Sequence, residues 1–182
     1  MRKSPWIRNM VRETSLRPAD LIWPVFVMGG EGREEAVPTL PGVSRLSADR
    51  LVHHASRAAE LGVPAIMIFG IVDEGHKDFS GSPALDPGNV VAEAIQAVKR
   101  NVPDIGVIAD LCFCEYTDHG HCGPLNEDGD VDNDATLANL GAQALNLASA
   151  GADMLAPSGM IDGQVAAIRD KLDGSGYSEL PL

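Results

Sequence analysis

Four almost wholly apolar segments alternate with four helical patterns along this 182-residue chain, and this order restricts the possible folds most strongly. A continuous apolar segment of this length is typical of a strand that is buried on both faces, as in a parallel sheet. Strands that alternate with helices imply an α/β class with parallel strands and right-handed crossovers. We predict strands over residues 21–28, 63–71, 105–111 and 153–156, and helices over residues 48–61, 89–100, 134–150 and 162–172.

Two architectures fit this order, a doubly wound open sheet and a (β/α)8 TIM barrel. No Gly-x-Gly-x-x-Gly motif follows the first strand, which weakens the dinucleotide-binding interpretation. The chemically reactive side chains follow predicted strands, where the active sites of barrels lie; they include Lys77, Asp78, a cysteine-rich segment and Ser158. If the fold is a barrel, about four β/α units make only part of one, because a whole barrel needs about 250 residues.

Local signals refine the element boundaries. Ser47 is a candidate N-cap for the first long helix, and Gly62 is placed to end it. Residues 29–43 are rich in glycine, proline and acidic side chains, so we predict a loop there. His53 and His54 are interpreted as surface residues of the helix. Pro24 is awkward inside the first strand because it cannot donate a ladder hydrogen bond.

All three cysteines of the chain, Cys112, Cys114 and Cys122, lie in one short segment that follows the third predicted strand. His119 and His121 lie in the same segment, so it is rich in ligands for a soft or borderline metal ion. Three cysteine ligands would leave one tetrahedral position of Zn²⁺ open, as in catalytic zinc sites. Redox or disulfide chemistry and simple packing of buried thiols are the alternatives, and spacing alone does not decide among them because Cys-x-Cys is not the common Cys-x-x-Cys knuckle.

The segment Asp-x-Cys-x-Cys-x-Tyr-Thr-x-His-Gly-His-Cys-Gly at residues 110–123 closely resembles the zinc-binding segment of the porphobilinogen synthase (5-aminolevulinate dehydratase) family. The resemblance extends over essentially the whole chain. It includes Val-Arg-Glu-Thr at 11–14, Pro-Gly-Val-x-Arg-Leu-Ser at 41–47, Lys-Asp-x-x-Gly-Ser at 77–82 and Gly-Ala-Asp-x-x-Ala-Pro-Ser at 151–158. The family is a (β/α)8 barrel, so the resemblance implies the N-terminal half of such a barrel.

The resemblance also implies an activity and a set of site residues. The family condenses two molecules of 5-aminolevulinate to porphobilinogen with loss of two waters, in tetrapyrrole and heme biosynthesis. Cys112, Cys114 and Cys122 match the zinc ligands of the active site. Asp110 matches an active-site aspartate, with a loop-capping acid as the alternative. Ser158 is a candidate catalytic residue that lines the pocket. Its alternative role is structural, because a serine after a proline at a strand end is also common where a helix begins. His121 matches a secondary metal ligand of some members, with a hydrogen-bonding role beside the site as the alternative, and Mg²⁺ is a possible further cofactor.

The sequence departs from the family pattern in two ways. The two lysines that form Schiff bases with the substrate are absent, since none of Lys3, Lys77, Lys99 and Lys171 matches their positions. Gly159 and Gln164 replace an acid and an arginine of the family pattern, and lost charges near a site usually cost rate. We therefore expect this sequence to be a fragment. The alternatives are an inactive zinc-binding half-barrel that associates with or regulates a full-length enzyme, and an unfolded relic with unpaired sheet edges.

Composition and charge restrict the partners. The formal net charge of −12 argues against binding to nucleic acid or an anionic membrane, and no apolar segment is long enough to span a bilayer. Unpaired cysteines without a visible secretory signal fit a cytoplasmic location. Residues 1–20 are locally basic and are predicted to form an N-terminal arm, while residues 21–182 form the half-barrel. By resemblance, the arm packs on a neighbouring subunit of a homo-octamer; a frayed terminus is the alternative.

Overall fold

The structure, a computed structural model, describes residues 3–182 and contains one sheet with helices packed against it. Its strands are β1 (Ile22–Met28), β2 (Glu34–Ala36), β3 (Ser44–Leu46), β4 (Ala65–Ile71), β5 (Gly106–Leu111) and β6 (Met154–Pro157). Its α-helices are α1 (Pro5–Met10), α2 (Ala48–Glu60), α3 (Val90–Asn101), α4 (Asn133–Ala150) and α5 (Gln164–Asp173). The predicted α/β class is therefore confirmed. No helix within residues 3–182 is both long enough and apolar enough to cross a membrane.

The sheet is parallel through its centre, in the order β2-β3-β1-β4-β5-β6, and only β2 runs antiparallel to its neighbour. β1 and β4 pair along their whole length, from Ile22 with Ala65 to Met28 with Ile71. Side chains alternate between the two faces of each strand. One face, which includes Val25, Ile68 and Val107, is buried beneath the helices and forms the core.

The long helices begin and end within one or two residues of the predicted positions, and their caps explain where. The Asn89 side chain accepts hydrogen bonds from the backbone N–H groups of Val91 and Ala92, which fixes the start of α3. α4 ends at Gly151, whose φ of +103° lies in the left-handed region that glycine adopts without steric cost.

Ser47 lies at the N-cap position of α2, but its side chain does not cap the helix, so the predicted capping role is wrong. Its hydroxyl instead accepts from the Arg33 backbone N–H at 2.9 Å and has two acceptors for its single proton, Asp49 Oδ1 at 2.6 Å and the Arg33 carbonyl at 3.1 Å. Ser47 therefore ties the start of α2 to the chain that precedes β2.

The prediction of a structureless loop over residues 29–43 is also wrong, because β2 forms within it and pairs with β3. β3 in turn pairs with β1 at Phe26 and Val27, so the expected unpaired edge of β1 is covered at its carboxyl end. Pro24 lies before the residues of β1 that pair with β3, so on that edge it interrupts no pairing, while on the other edge it is in register with Met67 of β4.

His53 is exposed on α2 as predicted, and His54 is a partly exposed surface residue whose side chain, 35% exposed, also contacts neighbouring elements. The His54 ring lies 6.1 Å from the ring of Trp23, and its Nε2 is 3.5 Å from Glu34 Oε1. β2 and β1 thus both contact this helix through one imidazole.

The two ends of the chain differ in how they contact the sheet. In the predicted arm, α1 has no buried residue, and Trp6, Met10 and Leu16 are all more than half exposed. Its predicted role in subunit packing stays a prediction. At the other end, the Leu155 N–H donates to the Pro181 carbonyl at 3.1 Å, so the final residues lie along the free edge of β6.

Candidate metal centre

The cysteine segment begins where β5 ends, and two buried aromatic rings hold its first turn in place. Phe113 and Tyr116 are almost completely buried, and the backbone N–H groups of Tyr116 and Thr117 donate to the Phe113 carbonyl at 2.8 and 3.0 Å. The Thr117 hydroxyl then donates to the His121 carbonyl at 2.8 Å. This closed loop returns Cys122 to the end of β5, next to the cysteines that precede it.

The sulfur atoms of Cys112, Cys114 and Cys122 lie within 4.8 Å of one another, and the first two are 3.5 Å apart. Sulfur ligands of tetrahedral Zn²⁺, each about 2.3 Å from the metal, lie about 3.8 Å apart. The three thiols therefore fit one such ion with only small side-chain adjustments. Cys112 is buried and the other two are half-buried, so the fourth direction can face solvent or a substrate.

Because the three thiols lie close together, the pKa of one is lowered and the pKa values of the other two are raised. A hydrogen bond from Cys114, with smaller contributions from Cys122 and Ser158, lowers the pKa of Cys112 against the opposing effect of burial. Donation to Cys112 raises the pKa of Cys114 far above that of a free thiol, and burial raises the pKa of Cys122. One thiolate is thus stabilised by neighbouring S–H donors, which a thiophilic cation can replace.

Asp110 and Ser158 come together beside this cluster, although they lie on different strands. Asp110 is the penultimate residue of β5 and Ser158 follows β6, whose pairing with β5 aligns Asp110 with Ala156. Asp110 is only 7% exposed. Burial raises the pKa of Asp110 to about 6, and a hydrogen bond from the Ser158 side chain opposes that rise.

Glu115 is a site residue that our sequence reasoning missed. It lies between the cysteines and lines a cavity of about 300 Å³ with Arg45 and Lys77. Burial, together with the negative charges of Asp110 and Cys112, raises the pKa of Glu115 to about 9, while the Lys77 cation acts in the opposite direction. The sequence offered one signal for this residue, which is that Glu115 lies between the candidate metal ligands Cys114 and Cys122.

His119 and His121 do not join the sulfur cluster, because the metal-ligand group found within residues 3–182 consists of the three cysteines. The His119 Nδ1 atom accepts from the backbone N–H of His121 at 3.1 Å, and the two rings are 5.5 Å apart. His121 itself is exposed. Its role as a secondary metal ligand stays a prediction.

Gly159 and Gln164 lie against the same loop. The Gln164 Nε2 atom donates to the Gly159 carbonyl at 2.6 Å, and its Oε1 atom is buried without a partner in the described chain. A Cβ atom added at Gly159 would lie 3.8 Å from the Cys122 Cβ, which is ordinary contact. The structure therefore has room for a Cβ atom at residue 159, with the Gln164 Oε1 atom 3.7 Å from it.

Comparison with known proteins identifies relatives over the whole chain. The family profile described as "Delta-aminolevulinic acid dehydratase" matches residues 1–182. The chain is 48% identical over 182 residues to a Delta-aminolevulinic acid dehydratase of Halalkalibacterium halodurans and 47% identical over 182 residues to that of Escherichia coli. Each alignment covers 100% of this chain and 55% of the relative. The chain thus spans about half the length of these curated relatives.

A solved structure shows the same relationship. The enzyme from Toxoplasma gondii ME49, crystallised with its reaction product porphobilinogen, matches with a TM-score of 0.91 and 38% identity. The match covers 99% of this chain and 51% of that structure. The predicted partial TIM barrel is confirmed by this match.

Proposed function

The chain belongs to the delta-aminolevulinic acid dehydratase (porphobilinogen synthase) family, and we propose that it forms the metal-binding half of an enzyme that condenses two molecules of 5-aminolevulinate to porphobilinogen. The convergence of three cysteine sulfurs within 4.8 Å at the carboxyl end of the sheet is the observation that carries this proposal. The relative crystallised with porphobilinogen supports the reaction.

Zn²⁺ is the proposed metal, with Cys112, Cys114 and Cys122 as its ligands. Thiolate sulfur selects Zn²⁺ over hard ions such as Mg²⁺, which prefer oxygen ligands. When bound with one open position, such an ion polarises a carbonyl oxygen or acidifies bound water. Mg²⁺ is proposed only as a further cofactor, with His121 as a candidate residue beside its site.

Asp110 and Ser158 are the proposed catalytic residues of this half. A carboxyl with a pKa of about 6 can both hold and release a proton near neutral pH, which suits general acid–base chemistry. The Ser158 side chain lies close enough to lower the pKa of this carboxyl, and we propose that its hydroxyl orients the proton-carrying oxygen at the strand end. Glu115, with a pKa near 9, remains protonated and neutral beside them.

The lysines of this chain do not supply the Schiff bases that the family resemblance implies. Lys77 Nζ bonds to Glu74 at 2.7 Å, and Lys99 Nζ bonds to Asp153 at 2.8 Å. Each of these ammonium groups is held by a carboxylate, so neither is placed to act as a nucleophile. We propose that the complete active site includes lysines from chain outside these 182 residues, in a cytoplasmic homo-octamer.

A second candidate is an inactive zinc-binding half-barrel that associates with a full-length enzyme. The sheet face opposite the helices favours it, because this face is apolar and partly exposed. Ile22 and Met154 are 52% and 37% exposed, and the rings of Phe26 and Phe69 meet there at 5.8 Å. An exposed apolar patch of this kind is typical of a surface that another chain covers.

Zinc titration of the 182-residue chain tests the metal site, with Cys112→Ser, Cys114→Ser and Cys122→Ser as variants. We expect about one tightly bound zinc per chain and a loss of affinity of at least tenfold in each variant. Met160→Ala is the matched control, because Met160 is 97% exposed in the neighbouring loop. Retained affinity in all three serine variants would contradict the assignment.

The reaction is tested separately, by adding 5-aminolevulinate to the zinc-loaded chain alone and together with a full-length relative. Porphobilinogen formation by the chain alone would contradict the need for outside lysines. Co-purification with the relative, without activity of its own, would favour the second candidate.

A further inference from the structure

Gln143 is a polar side chain in the middle of the buried face of α4. Thr136, Leu140, Gln143 and Leu147 recur on that face at helical spacing, and none of them is more than 1% exposed. A buried amide costs free energy unless both of its ends are paired, because it loses its hydration. A methionine would fill nearly the same space without that cost, so the presence of an amide requires another explanation.

The Gln143 amide is paired at only one end. Its Nε2 atom donates to the Cys112 carbonyl at 3.0 Å, whereas its Oε1 atom is buried without a partner in the described chain. The opposite orientation of the amide would place two oxygen atoms against each other, so the carbonyl fixes this one. Gln143 thus retains its bond to Cys112 although its own oxygen stays unpaired.

This bond lies where the sheet no longer holds the chain. The parallel pairing of β5 with β6 ends at Leu111 and Pro157. Cys112 follows directly, and Gln143 supplies the one hydrogen bond that its carbonyl accepts within residues 3–182. Because the peptide unit is planar, holding this carbonyl also fixes the plane of the peptide between Cys112 and Phe113. The backbone of the first cysteine is therefore oriented from α4.

The same helix also contacts the other end of the cysteine segment. A Cβ atom added at Gly123, the residue after Cys122, would clash with the Thr136 side chain, so the backbone there lies directly against α4. Thr136 and Gln143 are seven residues apart, which is about two turns, or roughly 10 Å, along the helix. One face of α4 therefore contacts the chain at Cys112 and beside Cys122.

We propose that Gln143 is a positioning residue of the metal centre. By holding the Cys112 carbonyl it sets the direction of the Cys112 side chain, while the Thr136 end of the same helix face holds the chain beside Cys122. The two sulfurs are thereby brought to one point before a metal ion binds. This inference rests on the proposed function, because it concerns the ligands of the same zinc site.

Zinc titration of the 182-residue chain and of Gln143→Met tests the inference. Methionine keeps the unbranched shape of the side chain but has no N–H group. We expect the zinc affinity to fall about tenfold, at the lower end of the range for groups that hold a metal ligand in place. In the cobalt-loaded variant, the sulfur-to-cobalt charge-transfer absorption should weaken or shift, because the Cys112 sulfur is displaced. A role in stability alone would leave this absorption unchanged.

Asn146→Leu is the matched control. The Asn146 Nδ2 atom donates to the Leu85 carbonyl at 2.6 Å, so this substitution removes the same kind of bond from the same helix, away from the cysteines. Whatever it does to the free energy of unfolding, measured with urea, Asn146→Leu should keep the zinc affinity and the cobalt spectrum of the parent chain.

The outcomes separate this inference from the proposed function. Equal zinc affinities in Gln143→Met and Asn146→Leu, or the parent's cobalt spectrum in Gln143→Met, would overturn the inference and leave the metal site standing. A parent chain that binds no zinc would contradict the proposed function and the inference together. If Gln143→Met fails to fold, Gln143→Asn replaces it, because it keeps an amide but withdraws the donor by one methylene. Unchanged zinc affinity in that variant would also overturn the inference.

Discussion

The Nε2 atom of His119 lies 3.0 Å from the carbonyl oxygen of Phe79, forty residues earlier in the chain, and joins the cysteine loop to the loop after β4. Because the His119 Nδ1 atom accepts from the His121 backbone N–H, the Nε2 atom is the one that donates. The rings of His119 and Phe79 also meet edge to face at 5.2 Å. A side chain that resembles a metal ligand in the sequence thus acts as a clamp between loops.

Replacing His119 should loosen this clamp. We expect His119→Ala to lower the free energy of unfolding by about 0.5–1.5 kcal/mol, the net value of a hydrogen bond, and to weaken zinc binding modestly. Urea unfolding and zinc titration measure the two effects. His53→Ala, at an exposed position on α2, is the control and should change neither quantity. A loss of zinc as complete as in the cysteine variants would instead make His119 a ligand.

Asp78 joins the same two loops and should give the chain a pH-dependent stability. Its backbone N–H donates to the Tyr116 carbonyl, and its carbonyl accepts from the Asp118 N–H. A hydrogen bond from the Ser82 hydroxyl, followed by others from Ser82 and Ser80, lowers the pKa of its carboxyl from 3.8 to about 2. The folded state therefore favours the ionised form more than the unfolded state does.

The sign of the pH effect follows from this lowered pKa. The contribution of Asp78 to stability is fully present above about pH 4 and is lost as the pH falls toward 2. Asp78→Asn should therefore be less stable than the parent at pH 7, with a difference that shrinks at pH 3 and below. Urea unfolding at several pH values tests this, with Asp104→Asn as an exposed control. A difference that stays constant with pH would contradict the prediction.

Gly123, directly after Cys122, should tolerate no side chain. A Cβ atom added there would lie 2.0 Å from Thr136 Oγ1 and 2.8 Å from its Cγ2, in a fully buried part of α4. We expect Gly123→Ala to cost about 1–3 kcal/mol through overpacking and to displace Cys122 from the other ligands. The measurements are urea unfolding and zinc affinity.

A second substitution separates this steric effect from a general loss of folding. Thr136→Ala removes the two closest atoms, so Gly123→Ala should be less harmful in that background, which a double-mutant cycle measures. Gly75→Ala is the neutral control, because no atom lies within 4 Å of its added Cβ. Additive costs in the cycle would show that Thr136 is not the obstacle.

The central strands and the long helices could be predicted because their sequences carry the signal locally. β4 and β5 are continuous apolar segments, and α3 has a strong N-cap at Asn89. β2 and β3 are only three residues each and include Glu34, Glu35 and Arg45. They exist because β1 offers an edge, and that tertiary pairing overrides weak strand propensity.

Of the candidate site, the cysteine segment could be predicted from the sequence, but the contacts between its loop and other loops could not. The clustering of all three cysteines in one segment after a strand made a metal site one of the open interpretations, and the family resemblance favoured zinc. The partnership of His119 with Phe79 could not be predicted, because it depends on how two loops from different strands meet. The raised pKa of Glu115 could not be predicted either, because it depends on the partial burial of a loop residue and on the nearby charges of Asp110 and Cys112, and an acidic residue in a loop is normally exposed.

The most direct test of the central claim is X-ray absorption spectroscopy at the zinc edge of the zinc-loaded 182-residue chain. The convergence of Cys112, Cys114 and Cys122 predicts three sulfur neighbours at about 2.3 Å and one lighter atom at about 2.0–2.2 Å. Loss of one sulfur neighbour in Cys122→Ser would assign that ligand. A shell of nitrogen and oxygen atoms, or one with fewer than three sulfurs in the parent chain, would contradict the claim.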